Sequence, residues 1–166
     1  MSARIIESGV AASEKREPQW LSFQISGQHY AAPLREVSEV IREGELTPVP
    51  GAPSVLLGIR HLRGRIVPVM DGRLRLNLPA QPASDASGVR IVMLSWVEQL
   101  VGLRVDSVAA LIRADAAAGG VLAPPPQRPG RYQDPVIGVL AWCGTFVALL
   151  DVERLCRLER ESDHVA

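Results

Sequence analysis

Residues that could do chemistry are few and scattered in this chain of 166 residues. The histidines are His29, His61 and His164, and none has a metal-ligand spacing to another. The cysteines, Cys143 and Cys156, form no CxxC pair, so neither a zinc site nor a disulfide framework is indicated. No GxSxG, phosphate-loop or HExxH motif occurs. The sequence therefore predicts no catalytic centre, no metal and no cofactor.

Three carboxylates follow apolar segments and leave two interpretations open. Asp71, Asp106 and Asp151 could supply an acid pair for proton transfer. Each could instead cap a turn or short helix at the end of a strand, which is a frequent use of Asp. The second interpretation is favoured. For His61 the same choice arises, and a turn histidine satisfied by the backbone is favoured over a catalytic one.

A basic segment, "GIRHLRGRIVPVMDGRLRL" at residues 58–76, is the most unusual stretch. It could coat a solvated face, or it could serve a small nucleic-acid-binding β-barrel through the Arg60–Arg75 region. No aromatic residue lies between positions 31 and 95 to stack on bases, so nucleic acid is the alternative reading. Arg63 differs from its neighbours because it precedes Gly64 in a tight turn. Its guanidinium is predicted to point in a fixed direction, suited to a carboxylate on a partner.

Short strands must position these residues. "WLSFQIS" alternates Leu21, Phe23 and Ile25 with polar residues, as a half-buried strand does, and a turn is predicted at Gly27-Gln28. "RIVPVMD", "VRIVMLSW", "VGLRV", "PVIGVLAW" and "TFVALL" are also typical of strands. Only the end, "DVERLCRLER", has helical character, with Asp151 as its cap. The predicted class is all-β with a few short helices.

The two halves of the chain resemble each other. "YAAPLREVSEVIR" matches "VGLRVDSVAALIR" at an offset of 71 residues, and "GIRHLRGRIVPVMD" matches "GVLAWCGTFVALLD" at an offset of 80. The second match pairs Gly64 with Gly144 and Asp71 with Asp151. This duplication predicts two related small β-barrels, with the difference in offset absorbed by a longer loop at residues 114–130.

Composition limits the class of protein and its cellular location. With 47% hydrophobic and 22% charged residues and a net charge of zero, the chain is typical of a soluble globular protein without a global attraction to nucleic acid or anionic membranes. No apolar run has the length of a signal peptide or of a bilayer-spanning helix, so we expect a cytoplasmic protein with no direct membrane insertion. Residues 1–18 are predicted to be a mobile tail, 19–158 the folded domain and 159–166 a second tail.

The segment "GIRHLRGRIVPVMDGR" resembles the signature of CheW-type chemotaxis coupling proteins, roughly G-V-x-N-L-R-G-x-I-x-P-V-x-D-L-R. Further blocks in the same order are "LSFQISGQHYAAPLREVSEVIR", "TPVP", "VGLRVDSVAALI" and "GTFVALLDVERL". The resemblance covers about residues 20 to 158.

This resemblance implies two intertwined five-stranded SH3-like barrels plus a C-terminal helix, and a scaffold without enzymatic activity. It implies two partners: the cytoplasmic tip of methyl-accepting chemoreceptors, a helical hairpin held in a groove between the barrels, and the regulatory domain of a CheA-type histidine kinase. That domain has the same fold and would pack through barrel ends. The adaptor would thereby be recruited to membrane receptor arrays.

Residue by residue, the resemblance gives roles to five positions. Arg63, Val37, Glu39 and Gly58 are predicted to bind the receptor, and Leu111 belongs to the kinase or coupling surface. Val37 and Leu111 could instead be plain core residues, and Gly58 could serve only the backbone.

Three positions of the signature are predicted to be structural, as turn residues or caps: His61, Gly64 and Asp71. Two departures from the family pattern stand beside them. His61 replaces the usual asparagine, and Gly72 replaces the usual leucine after the aspartate.

Overall fold

The structure, a computed structural model, describes residues 18–79, 86–113, 121–122 and 134–157. Strands dominate these residues, and the helices are single turns. In chain order the elements are β1 Gln19–Ile25, β2 Gln28–Pro33, the 3-10 turn η1 Leu34–Glu36, β3 Val37–Arg42, β4 Leu56–Leu62, β5 Arg65–Asp71, α1 Gly72–Arg75, the 3-10 turn η2 Ala86–Gly88, β6 Arg90–Trp96, β7 Gln99–Val105, β8 Ser107–Arg113, β9 Val121–Leu122, β10 Val136–Trp142, β11 Thr145–Leu150 and α2 Val152–Cys156. The all-β prediction is confirmed.

Two sheets define two subdomains. Subdomain 1 has the strand order β3-β6-β7-β5-β4, and subdomain 2 has the order β8-β1-β2-β11-β10-β9. Strands β1 and β2 belong to subdomain 2, β3 to β7 to subdomain 1, and β8 to β11 to subdomain 2 again, so the subdomains are intertwined. The prediction of paired five-stranded SH3-like subdomains with a C-terminal helix is confirmed, and subdomain 2 adds β9, a strand of two residues, as a sixth.

The duplication seen in the sequence is also a duplication of hydrogen-bond register. In subdomain 1, β5 runs parallel to β7 with Val69 opposite Gly102, and in subdomain 2, β11 runs parallel to β2 with Leu149 opposite Ala31. These pairs are related by the same two offsets found in the sequence. The bulges repeat too: β4–β5 shifts register before Gly58, and β10–β11 does so before Gly138.

Three apolar clusters hold the fold together. One lies within subdomain 1, built from Val67, Val69, Ile91 and Met93, and another within subdomain 2 includes Leu140, Val147 and Leu149. The largest cluster joins the two sheets, because it combines β1 residues such as Phe23 with β6 residues such as Leu94 and with the inner face of α2. Since burial of apolar surface is the main driving force for folding, the subdomains form one cooperative body.

Both short helices begin at an aspartate, as the sequence predicts. Asp71 is buried and its Oδ1 accepts hydrogen bonds from the Arg73 and Leu74 amides at 2.9 and 3.4 Å. Asp151 Oδ1 accepts from the Arg154 amide at 3.0 Å. These bonds satisfy helix N-terminal amides that have no intrahelical partner. The two aspartates are therefore caps and do not form an acid pair.

The third aspartate, Asp106, has another role. Its Oδ2 accepts a hydrogen bond from the Ser26 amide at 2.7 Å, which joins the β7–β8 junction to the β1–β2 turn. That turn consists of Ser26-Gly27, both at positive φ, so its prediction at Gly27-Gln28 is wrong by one residue. A turn with two left-handed residues favours glycine in second place, as Gly27 is here, and β2 then begins at Gln28.

Parts of the predicted organisation lie outside the described residues. These are the two tails, apart from Pro18, and the loop at 114–130, apart from β9. The described sheets begin at Gln19, and α2 ends at Cys156. Among the residues described, no helix is both long enough and apolar enough to cross a membrane.

Candidate functional site

The β4–β5 hairpin carries the arginine that the sequence singled out. Arg63 and Gly64 are its two turn residues, with φ values of 49° and 79°. Positive φ at both central positions gives a turn whose twist matches that of the flanking strands. Glycine adopts this conformation freely, whereas for Arg63 it is an uncommon one. The turn fixes where the Arg63 side chain begins, as predicted.

The Arg63 guanidinium forms a two-pronged ion pair with Glu39 on β3. Nη1 donates to Oε1 and Nη2 donates to Oε2, each at 3.0 Å. The Arg63 side chain is nevertheless 76% exposed, against 23% for Glu39. The sequence predicted a carboxylate on a partner, and in the structure the chain's own Glu39 takes this position. The arrangement presents a guanidinium of fixed orientation at the surface.

The matching hairpin of subdomain 2 has the same backbone without these charges. Cys143 and Gly144 stand where Arg63 and Gly64 do, with φ values of 48° and 76°. Ala110 takes the place of Glu39, after the same bulge. The fold thus forms this hairpin without an ion pair, and the ion pair is particular to subdomain 1.

Val37 and Gly58 have packing roles in the structure. Val37 is half-buried against the cluster that joins the subdomains. Gly58 is buried, and a Cβ built on it would lie 2.6 Å from the carbonyl oxygen of Thr47, which pairs with Ile59. No side chain fits there unless the backbone moves. As receptor-binding residues, both remain predictions.

Leu111 is exposed rather than part of the core. Its side chain is 59% accessible on β8, where it lies opposite Leu21 of β1. The corresponding residue of subdomain 1, Val40 on β3, is 38% accessible. A pair of outward apolar residues on matching strands suits contact with another protein. The coupling role of Leu111 remains a prediction.

The two departures from the family signature have different consequences. His61 lies within strand β4 opposite Ile66, and the two-residue turn starts only at Arg63, so the expectation of a turn histidine is wrong. Gly72 is buried at the start of α1, where a Cβ would lie 2.7 Å from both the Arg104 carbonyl oxygen and Ile25 Cδ1. The usual leucine would not fit at this point of the chain.

An open groove of about 1160 Å³ lies beside η1 and the first residues of α2. It combines apolar walls with charges of both signs. Its lining residues are Pro18, Gln19, Trp20, Pro33, Leu34, Arg35, Glu36, Arg113, Ile137, Leu150, Asp151, Val152 and Glu153. The sequence singles out Asp151 among them, as a helix cap, and Val37, a predicted receptor-binding residue, directly follows η1. The lining residues come from seven separate elements, so no local spacing signals the groove.

The described residues form no group of three or more His, Cys, Asp or Glu side chains that could hold a metal. Burial raises the pKa of the Cys156 thiol to about 12, so this cysteine stays protonated and unreactive. Burial, with a smaller effect of the Asp134 charge, also raises the pKa of Tyr30, whose hydroxyl donates to Gln28.

Three of the five arginines in the basic segment are bound to the chain itself. Arg60 donates to the Arg42 carbonyl, Arg63 pairs with Glu39, and Arg75 donates to carbonyls of α2. These contacts use the cations that a nucleic-acid groove would need, and this weakens the nucleic-acid alternative.

The fold and the hairpin define the class of protein: a tandem SH3-like barrel domain with an ion pair on one hairpin only. A family model described as the CheW-like domain matches residues 19–160, and the chain belongs to this family. The scaffolding protein TtCheW of Thermoanaerobacter tengcongensis has a similar structure, with a TM-score of 0.74 and 25% identity over 86% of this chain and 94% of that one.

Curated relatives agree with the family. Protein FrzA of Myxococcus xanthus is 27% identical over 93% of this chain and 95% of its own length. Protein PilI of Pseudomonas aeruginosa is 29% identical over 63% of this chain, and the chemotaxis protein CheW of Bacillus subtilis is 32% identical over 58%. The match spans only 59% of PilI and 61% of the Bacillus protein.

Proposed function

We propose that this chain is a non-catalytic scaffold that couples chemoreceptors to a histidine kinase in bacterial chemosensory signalling. Membership of the CheW-like family supports it, as do relatives named as chemotaxis and scaffolding proteins. The observation that carries the proposal is the exposed Arg63–Glu39 pair, because the duplicated hairpin shows that the fold itself has no need of it.

The receptor surface, in this proposal, runs from the Arg63 hairpin along β3 to the groove beside η1. A helical receptor tip would place its apolar face against Val37, Val40 and the groove wall. The Arg63–Glu39 pair at the edge would then select partners by charge, since rim charges favour specificity and association rate more than affinity.

The kinase surface, in this proposal, is separate from the receptor surface. A regulatory domain with the same fold would contact the barrels, with the outward Leu111 on the coupling face. Binding both partners at once raises their effective concentration around each other. A small rearrangement of the receptor could then shift the kinase between its active and inactive populations.

Replacing Arg63 with glutamate tests the receptor surface. The substitution Arg63→Glu places two acidic side chains together near β3, and we expect loss of receptor pull-down and of receptor-dependent kinase activation with an intact fold. Arg65→Glu is the matched control, because Arg65 is an exposed arginine of the same hairpin, two residues away. The control should bind as the parent does.

A charge exchange makes the test sharper. If only the intramolecular pair matters, Glu39→Arg combined with Arg63→Glu restores coupling. If the guanidinium itself must face the receptor, the exchange does not restore it. Normal coupling by a folded Arg63→Glu protein would overturn the assignment of this surface.

A further inference from the structure

Arg75, the last residue of α1, connects the two repeats of the chain. Its Nε donates to the Leu155 carbonyl at 2.8 Å, and its Nη2 donates to the Arg154 carbonyl at 2.6 Å. Both carbonyls belong to the C-terminal end of α2, where backbone oxygens have no partner within the helix. A cation is also favoured at this end by the helix dipole. Arg75 therefore serves as a C-terminal cap supplied by another helix.

The second repeat has no arginine equivalent to Arg75. At the offset that relates α1 to α2, Arg75 corresponds to Leu155, which is fully buried in the cluster joining the subdomains. Subdomain 2 thus supplies an apolar side chain and two carbonyl acceptors, and subdomain 1 supplies the donor. The internal symmetry of the fold does not require such a bridge.

The helices meet at the boundary between the subdomains. Helix α2 follows β11 of subdomain 2 but packs on β6 of subdomain 1. Helix α1 follows β5 of subdomain 1, and its first residue, Gly72, lies against Ile25 of subdomain 2. The absence of a side chain at Gly72 permits this close approach, from which Arg75 reaches the end of α2.

The other end of α2 forms a wall of the groove. Val152 and Glu153 line it, together with Asp151 before the helix and Glu36 of η1. Both Arg75 and Glu36 act on the buried Cys156 thiol: its pKa is raised mainly by burial, lowered by the Arg75 charge and raised by the Glu36 charge. Arg75 therefore contacts one end of a five-residue helix whose other end lines the groove.

We propose that Arg75 is a positioning residue for partner binding: by holding the C-terminal end of α2, it keeps the groove wall formed by Asp151–Glu153 in place. This proposal rests on the proposed function, in which the groove takes the helical tip of a receptor. A helix of five residues has little stability of its own, so its position depends on contacts such as this one.

The test uses the full chain with Cys143→Ser, because Cys143 is exposed and Cys156 is then the single thiol. The variants are Arg75→Met, which keeps the aliphatic length but removes the donors, and Arg75→Lys, which keeps a charge that cannot fork between two carbonyls. Arg73→Met is the matched control on the same helix. The readouts are the labelling rate of native Cys156 by a thiol reagent and the affinity for a soluble receptor-tip fragment.

We expect Arg75→Met to raise the labelling rate of Cys156 by about tenfold or more and to weaken binding of the receptor fragment by about tenfold, as loss of charge-assisted hydrogen bonds predicts. Arg75→Lys should give smaller changes in both readouts, and Arg73→Met should change neither. Chemical denaturation curves measure the folded fraction of each variant, so that labelling and binding are compared at equal folded fractions.

The outcomes separate this proposal from the function on which it rests. Labelling of Arg75→Met at the rate of the control would overturn the claim that Arg75 holds α2. Faster labelling with unchanged binding would show that Arg75 only stabilises the helix, and the positioning role would be wrong. If the parent fails to bind, or Arg63→Glu binds as the parent does, the proposed receptor function fails, whatever the labelling shows.

Discussion

The hairpins Leu62–Arg65 and Trp142–Thr145 have the same backbone and different chemistry. Both turns place a non-glycine residue and then a glycine at positive φ, and both follow a strand with a bulge at the same point. Only the first places Arg63 over Glu39. The duplicated features are those that the barrel needs, so the unshared ion pair is the feature to which a function is best assigned.

The first residues of the two short helices are a second difference between the repeats. Gly72 begins α1 and Val152 begins α2, each directly after a capping aspartate. Val152 is buried in the cluster joining the subdomains, whereas Gly72 lies so close to Arg104 and Ile25 that it has no room for a Cβ. The repeats have thus also diverged where they contact each other.

The largest expected effect follows from this second difference. Gly72→Val would place the side chain of the matching residue Val152 into space taken by the Arg104 carbonyl and Ile25. Overpacking of this kind lowers the free energy of unfolding by ~3 kcal/mol. Urea denaturation measures it. A stability equal to the parent's would mean that α1 moves away freely, which would contradict the close packing of the boundary.

Replacing the two capping aspartates should destabilise the protein to different extents. Asp71 is buried and accepts from two amides, whereas Asp151 is half-buried and accepts from one. We expect Asp71→Ala to lower the free energy of unfolding by ~2 kcal/mol and Asp151→Ala by ~1 kcal/mol. Thermal and urea unfolding of both variants check the order. The reverse order would contradict burial as its cause.

The turn glycines should behave alike. Gly64 and Gly144 have φ values of 79° and 76°, and a Cβ on either would meet nothing within 4 Å. Gly64→Ala and Gly144→Ala should each lower stability by ~1 kcal/mol, because only backbone strain changes. Parallel denaturation curves test the equivalence. A marked difference between the two would show that the hairpins are not equivalent.

The smallest expected effect concerns the ion pair itself. A double-mutant cycle on Arg63 and Glu39 should give a coupling energy of only ~0.5 kcal/mol, weaker at high salt, because Arg63 is mostly exposed. Transplanting the pair as Cys143→Arg with Ala110→Glu should give a coupling of similar size. A coupling of several kcal/mol in subdomain 1 would mean that the pair serves stability rather than recognition.

Much of the fold could be predicted from the sequence, for identifiable reasons. Alternating residues such as Leu21, Phe23 and Ile25 predict strands because side chains in a strand point to opposite faces. The paired glycines and aspartates predict the duplication because turns and caps need those residue types. The position predicted for the first turn, Gly27-Gln28, was one residue too late. The turn is Ser26-Gly27, and the pattern alone does not show which of the two central positions Gly27 occupies.

The candidate site could be predicted only in part. The family resemblance identified Arg63 and Glu39 separately, but the ion pair between them joins residues 24 positions apart in the sequence. His61 was expected in the turn because the signature alone does not show where β4 ends. The family resemblance implied a receptor groove between the barrels, but the residues that line the groove beside η1 and the Arg75 contact had no local sequence signal.

The sequence by itself determined the strands, the duplicated turns, the capping aspartates and the family, because each depends on residue types at short spacing. Only the tertiary structure decided which subdomain each strand joins, that Glu39 faces Arg63, and that Arg75 caps α2 across the boundary. These contacts arise from packing between segments far apart in the chain, and packing depends on shape and distance that no local pattern contains.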